Sequence, residues 1–448
     1  MRRISLFAFL FALGLSNVQA QEQVPPNDAD GGHAVASSDD PDAAESETTK
    51  VPLAEIRRYV GVYDAIKQAY VDPVDDHKLM QSAIKGLLLD LDPHSAYLEK
   101  SDAQAFDEET NGAYDGIGVE VVTLPDGSVK IVSAIDDTPA AQAGLRSGDT
   151  IVAVDGRELT PADAVGPGPL RGKPGSSVKL KIVREGTAKP FDVTLKRDTI
   201  RVASVRSRML EPGYGYIRIS QFQADTAADF EKNLDKLQAQ SGGKLRGLVL
   251  DLRSNPGGLL TSAVQIADDL LDSGTIVSTR GRMPGNDATF RATPGDRMHG
   301  APVVALVDAG SASATEVLSG ALRDLHRAKI VGSRTFGKGL VQTLLPLDNG
   351  DSVKLTTARY YTPSGKSIQG VGIVPDVVLK PDEATAEKET EDGDTPYTEA
   401  SLPGHLHGED EDDAGTNAGD VLPGDAPITA ALQELKKPVA QAETKPKG

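Results

Sequence analysis

Between Leu53 and Leu91 apolar positions recur at helical spacing. Ile56, Tyr59, Val60, Tyr63, Ile66 and Tyr70 form one run, and Leu79, Ile84, Leu87 and Leu88 form a second. Val71-Asp72-Pro73 separates them, because proline has no N–H with which to continue a helix. Two helices are predicted. After residue 103 the period shortens to two, in Gly118–Thr123, Val129–Ala134, Thr150–Val154, Val178–Arg184 and Phe191–Lys196. Turns at Pro125-Asp126-Gly127 and Asp155-Gly156 fit short antiparallel strands, so a small β-rich module is predicted. Beyond Arg201 strand and helix patterns alternate. Tyr216–Ser220 precedes a helix near Thr226–Gln240, Leu245–Leu252 one near Leu259–Leu271, and Val303–Val307 one near Ser313–Leu325. Strand–helix alternation predicts an α/β layered domain.

The two ends read differently. Arg2 and Arg3 precede a 12-residue apolar stretch, Ile4 to Leu15, and Val18-Gln19-Ala20 offers a small-residue cleavage site. This pattern predicts a secretory leader over 1–20 and an exported protein, since spanning a bilayer takes ~20 apolar residues. Residues 21–50 carry eight acids and one base and lack aromatics, which predicts a disordered acidic linker. Residues 381–448 carry 17 acids and five bases, and predict an acidic, largely disordered tail with a short helix near 428–435. Of the net charge of −19, the stretch 51–380 holds only −2. No basic face for nucleic acid is implied by that balance. Cysteine is absent, so disulfides, a catalytic thiol and thiolate metal sites are excluded.

Three strand-to-turn junctions of the α/β region are candidates for chemistry, because helix N-termini there offer free N–H groups. At Asp308–Glu316 (DAGSASATE) a serine can serve as an N-cap or as a nucleophile beside oxyanion donors. At Gly332–Gly339 (GSRTFGKG) Lys338 lies between glycines. A phosphate-cradling loop would need Ser or Thr where Gly339 stands, whereas a buried lysine with a lowered pKa can act as a general base. At Asp251–Gly258 (DLRSNPGG) the glycines form a turn whose N–H groups could receive an oxyanion, and Asp251 could pair with Arg253 to order it. None of the seven histidines sits in a glycine-rich or small-residue turn, and His94 in LDPHSAYL reads as a helix-end or packing residue. No metal-ligand cluster is visible, and neither a metal nor an organic cofactor is expected.

Together these segments resemble the carboxyl-terminal processing peptidases, or tail-specific proteases. The likeness runs through residues 52–380: YVDPVD, GLLLDLDPHSAYL, GIGVEV, DTPAAQAGLRSGDTIVAVDG, LRGKPGSSVKL, DLRSNPGG, GSASATE, RTFGKGLVQ and GVGIVPDV. It implies an α/β protease core of crotonase-like fold (199–380), an inserted PDZ domain (103–198) and an N-terminal helical region (51–102). In that family Ser313 matches the nucleophile, Lys338 the general base and Gln342 the residue orienting it, a separation of four that would place both on one side of a helix. The Ala314 N–H and the Gly257 or Gly258 N–H would form the oxyanion hole. Asp251, Arg253 and Glu316 match polar residues that support the site. In the PDZ module Gly116, Ile117, Gly118 and Val119 match the loop that binds a chain terminus, and Arg171 stands where some relatives have an activating arginine. Asp308 departs from the asparagine of many relatives.

The implied activity is serine endopeptidase action on unfolded or tagged protein C-termini, in the periplasm or cell envelope and without a stable membrane span. An adaptor protein and further copies of the chain are the other partner classes. The alternative is a catalytically silent PDZ peptide-binding or chaperone protein, and a second is an amidase or esterase with the same dyad.

Overall fold

The computed structural model describes residues 51–161, 168–283, 285–381, 398–411 and 419–437. The expected leader and acidic linker lie outside these residues. Two units separate at Val74. The first contains helix α1 (Leu53–Ala69), which buries no residue.

The second unit begins with α2 (Asp76–Leu89), whose N-cap Asp75 accepts the Lys78 N–H at 3.0 Å. Strand β1 (Ala96–Leu98) follows, then α3 (Lys100–Asn111), which ends on Gly112 at φ 66°. Periodicity over 103–111 was expected to be strand-like, but α3 occupies it and the β-rich module starts beyond. Strand β2 (Ala113–Gly116) carries the chain out of the core and β9 (Asp198–Arg201) brings it back, paired antiparallel with Ala113 opposite Arg201 and Gly116 opposite Asp198. An insertion closed at its neck in this way folds around its own core.

Within it, β3 (Val119–Thr123), β4 (Val129–Ala134), β5 (Thr150–Val154), β7 (Ser177–Val183) and β8 (Phe191–Lys196) make one sheet in that order, with β6 (Arg157–Glu158) beside β5. Alternation decides its inner face. Val178, Leu180 and Ile182 of β7 are buried with Ile117, Ile131, Ile151 and Leu195, while their neighbours along the strand face out. The short helix α4 (Pro139–Gln142) contributes Ala140.

The α/β core is a six-stranded sheet ordered β10 (Val205–Glu211), β11 (Tyr214–Ile219), β12 (Gly247–Asp251), β15 (Val303–Val307), β16 (Ala328–Gly332) and β19 (Val377–Val378). All pairs but the first are parallel. Crossover helices α5 (Thr226–Gln240), α6 (Leu260–Leu270) and α7 (Ala314–Asp324) bury one face against Ile217, Leu248, Leu250, Ala305 and Ile330. The other face presents the alternate residues Tyr216, Val249, Val304, Leu306 and Val331, and the tail covers it. Helix α8 (Ala426–Lys436) packs Ile428, Ala431 and Leu435 there. A second sheet joins β1, β18 (Ser352–Tyr361), β13 (Thr275–Gly281) and β14 (Ala288–Arg291), with β17 (Leu340–Pro346) also on β18.

The expected short helix near 428–435 is α8. Among the tail's described residues, 398–411 and 419–437 are folded onto the core. Their acidity is used inward: the Glu409 carboxylate accepts the Tyr361 hydroxyl at 2.7 Å, and the Asp410 carboxylate accepts the Ser367 N–H at 3.0 Å.

Candidate active site

The C-terminal ends of β12, β15 and β16 open side by side, because the three strands are parallel neighbours. The DLRSNPGG, DAGSASATE and GSRTFGKG turns leave from these ends, which brings Asp251–Gly258, Asp308–Glu316 and Gly332–Gly339 together.

Ser313 immediately precedes α7 and holds φ 55° and ψ −116°, a conformation an L-residue adopts only under constraint. The constraint is visible in the bonds around it. The Ser313 N–H donates to Glu316 Oε2 at 2.8 Å, and the Ala312 N–H donates to Asn255 C=O at 2.9 Å. Asn255 also accepts from the Thr315 hydroxyl at 3.0 Å, anchors its own amide on Ile219 C=O at 3.0 Å, and takes the Gly257 N–H on Oδ1 at 2.9 Å. The glycine turn is thus locked to the serine turn. A Cβ on Gly257 would fall 2.9 Å from Ser313 Cβ and 3.1 Å from the Ala314 nitrogen, so only glycine fits there.

Of the expected oxyanion donors, Gly257 has its N–H committed to Asn255. The Gly258 and Ala314 N–H groups have no hydrogen-bond partner among the described residues. Gly258 bridges Phe222 through its neighbours' bonds, Phe222 N–H to Gly257 C=O and Leu259 N–H to Phe222 C=O, both 2.8 Å. Its own N–H points the other way, as alternation along an extended segment requires.

Glu316 is completely buried and accepts four donors: the N–H groups of Ser313, Gly337 (2.7 Å) and Lys338 (2.9 Å), and the Thr335 hydroxyl. Burial pushes its carboxyl up to about 7 in spite of those bonds. Lys338 is partly buried. Desolvation, then the nearby Lys354 cation, hold its amine below the ordinary lysine value, against the opposing pull of Glu399, Glu316 and Asp92.

Gln342 lies on β17, not on a helix, because the residues after Gly339 pair with β18. Lys338 precedes that strand and a bulge falls between Val341 and Gln342, so a separation of four does not by itself put the two side chains on one face. The Gln342 amide donates to Thr356 Oγ1 at 3.4 Å, and the same hydroxyl donates to Asp92 at 3.1 Å.

Asp251 and Arg253, the expected supporting pair, meet at the end of β12. The Asp251 carboxylate accepts Arg253 Nε (2.9 Å) and Nη2 (2.7 Å) and the Tyr216 hydroxyl (2.7 Å). Arg253 also donates to the Leu422 and Gly424 carbonyls of the tail. Asp308 accepts the N–H groups of Ser254 (2.7 Å), Gly310 (3.0 Å) and Leu422 (3.3 Å). An asparagine would present an NH₂ to one or more of those donors, so the aspartate suits this tail.

In the β-rich insertion the Ile117 side chain is core, while the Ile117 and Gly118 carbonyls accept the Ala140 (2.9 Å) and Ile135 (3.0 Å) N–H groups. Gly118 takes φ 83°, and a Cβ there would strike Thr138 at 2.3 Å. Gly116 packs beside Tyr114 and Arg171. Val119 starts β3, an edge strand. Arg171 pairs with Glu108 at 3.0 Å and stacks over Tyr114 at 3.8 Å.

Thr335, Asn255, Asp92, Thr356, Gln369 and Glu399 were not legible as site residues. They are common polar types whose partners are remote in sequence. Among the described residues no group of three His, Asp or Glu is placed to hold a metal.

Comparison with known proteins agrees with this layout. The family described as peptidase family S41 matches residues 213–379, a PDZ domain matches 116–195, and the N-terminal domain of the activating protease CtpB matches 16–102. The chain is 41% identical to the carboxy-terminal-processing protease of Bartonella bacilliformis over 387 residues, 86% of this chain and 88% of that one. It is 37% identical to the carboxy-terminal processing protease CtpA of Bacillus subtilis over 343 residues, 74% and 72% of the two chains. Among solved structures, the photosystem II D1 C-terminal processing protease aligns at 31% identity and a TM-score of 0.42, over 73% of this chain and 93% of that one.

Proposed function

This chain belongs to the carboxy-terminal-processing serine peptidases of family S41, and from that premise we propose that Ser313 and Lys338 form its catalytic dyad. It is a PDZ-containing serine endopeptidase that recognises protein C-termini. The observation that carries the residue assignment is the shared carboxylate of Glu316, which holds the Ser313 and Lys338 backbones on one oxygen.

The steps follow from this arrangement. Neutral Lys338 removes the Ser313 hydroxyl proton, and the alkoxide attacks the peptide carbonyl. The oxyanion is received by the Ala314 and Gly258 N–H groups, at the positive end of α7. The lysine ammonium then protonates the leaving amine. A water molecule, deprotonated by the same lysine, hydrolyses the ester. Gln342 steadies the lysine from β17. Asp251 and Arg253 keep the glycine turn in register.

Substrate enters by its terminus. With the Ile117 and Gly118 carbonyls bound inward, the N–H groups of the Gly116–Val119 turn are the donors for a terminal carboxylate, and edge strand β3 offers backbone pairing to the peptide. Unfolded or tagged chains are the proposed substrates, because only an extended terminus can pair so. Arg171 stands at the neck of the insertion, beside Gly116, and is the proposed link between peptide arrival and the core.

Three finer readings complete the proposal. A crotonase-like fold of the core rests on the family resemblance. Export to the periplasm or cell envelope rests on the leader at 1–20; among the described residues no helix is long and apolar enough to cross a membrane. Self-association rests on α1, whose Ile56, Tyr59 and Val60 are exposed.

The test is digestion of an unfolded reporter with a free apolar C-terminus by the wild type and Ser313→Ala, with products mapped by mass spectrometry. Cleavage lost in the variant is expected. Equal cleavage by both would overturn the assignment, and an inert wild type that still binds the peptide would favour the silent PDZ alternative.

A further inference from the structure

The described tail brings a buried acid to the lysine side of the site. Glu399 opens a single 3₁₀ turn, Glu399–Ser401, and is wholly excluded from solvent. Its N–H donates to Phe336 C=O at 3.0 Å, two residues before Lys338. Its carboxylate meets His94 Nε2 at 2.8 and 3.0 Å and accepts from Gln369 Nε2 at 2.9 Å. Gln369 reaches further: its Oε1 accepts the Gly339 N–H at 2.9 Å, and its Nε2 also donates to Leu406 C=O at 2.8 Å. Both flanks of Lys338 are therefore tied to Glu399, Phe336 directly and Gly339 through one glutamine.

A strap that merely held the tail down would need backbone bonds and apolar side chains. Burying an ionisable acid costs more than burying a hydrocarbon of the same size, unless its charge or its acceptors are used. Here both are. Gln369 fits its two functional ends between Glu399 and Gly339, and the charge acts on the lysine. The charged groups facing Lys338 are Lys354 of β18, Glu399, Glu316 and Asp92. Those facing Glu399 are His94, Lys338 and His405, the last paired with Glu411.

We propose that Glu399 is a positioning residue of the peptidase site, a tail carboxylate that fixes the Phe336–Gly339 segment and its lysine, so that full activity requires the docked 398–411 segment. The inference rests on Lys338 being the general base. It adds a contribution from outside the matched family region, which ends at residue 379.

The experiment uses the full chain with Glu399→Gln, Gln369→Met and Lys338→Ala. Two readouts are followed against pH: turnover of a reporter peptide, and acylation of Ser313 by a fluorophosphonate. Glu399→Gln is expected to lower kcat about tenfold or more with KM little changed, as a displaced catalytic group does. It should also move the ascending limb of both profiles to lower pH, because the carboxylate no longer favours the lysine ammonium. Gln369→Met keeps the charge and breaks the tie to Gly339, so kcat should fall while the limb stays. Should Glu399→Gln fail to fold, Gln369→Met decides alone: an unchanged kcat overturns the proposal. A folded Glu399→Gln with wild-type kcat and an unmoved limb also overturns it, provided Lys338→Ala is inactive. If Lys338→Ala still cleaves, the base assignment itself is wrong and the proposal falls with it.

Discussion

The backbone N–H groups of Ser313 and Lys338 donate to the same oxygen of Glu316, at 2.8 and 2.9 Å. The two residues leave different parallel strands and are 25 positions apart in the chain. One buried carboxylate sets their separation, and its other oxygen takes Gly337 N–H and the Thr335 hydroxyl.

Replacing that carboxylate by an amide should be severe. Glu316→Gln keeps the volume but turns an NH₂ toward donors, leaving buried N–H groups unpaired at ~1–3 kcal/mol each. We expect kcat to fall about 10²-fold or more, with a lower melting temperature. Steady-state kinetics on the folded variant is the check, and turnover within a few-fold of wild type would contradict it.

Activity and stability should move in opposite directions with pH. Lys338 has a lowered pKa, so the neutral base forms at lower pH than for an ordinary lysine and activity rises with pH. Its ascending midpoint should lie below ~10.4. Glu316 has the reverse sign. Its carboxyl is raised from 4.5 to about 7, so the folded state holds the proton more tightly than the unfolded one. That contribution is complete below pH 4.5 and is lost as pH rises through about 7. Melting temperatures of wild type and Glu316→Gln across this window isolate the effect; a difference between the two that does not change with pH would refute it.

Gly257→Ala should silence the enzyme without unfolding it. Gly257 holds φ 105°, and the added methyl would meet Ala312 C=O at 2.8 Å and Ser313 Cβ at 2.9 Å. Displacing either turn by even part of an ångström moves Ser313 from the donors proposed for the oxyanion, an expected loss of ~10²-fold or more in kcat. Fluorophosphonate labelling at wild-type rate would show that the wall tolerates the methyl.

The tail helix should behave as core. Leu435 is 4% exposed and lies against Gly247, where a Cβ would approach it to 2.9 Å. Leu435→Ala is expected to cost ~2–5 kcal/mol, read by chemical denaturation. A loss below ~1 kcal/mol would mean that α8 contributes little to the second face of the sheet.

Much of the candidate site was readable along the chain because its turn chemistry is local. Glycines at 257 and 258, small residues around Ser313 and glycines around Lys338 mark turns that need close approach or positive φ, and those demands are written in residue type. A continuous apolar run that ends in a turn, such as Val303–Val307, came out residue for residue. Helix α3 did not, because its sequence is mostly polar and carries no apolar stripe.

What the sequence by itself determined is therefore most of the strands and helices and the three turns that carry Ser313, Lys338 and the Gly257-Gly258 pair. Only the tertiary structure decided which of two glycine N–H groups lacks a partner among the described residues, that Gln342 lies on a strand, and that His94, a packing residue by its local pattern, binds a carboxylate 305 positions away. It also decided that the described part of an acidic tail packs on the sheet and on the lysine loop. The physical reason is common to all of these. Periodicity and turn chemistry report a residue's nearest neighbours, whereas a buried carboxylate such as Glu399 is defined by donors that only the folded chain brings within hydrogen-bond reach.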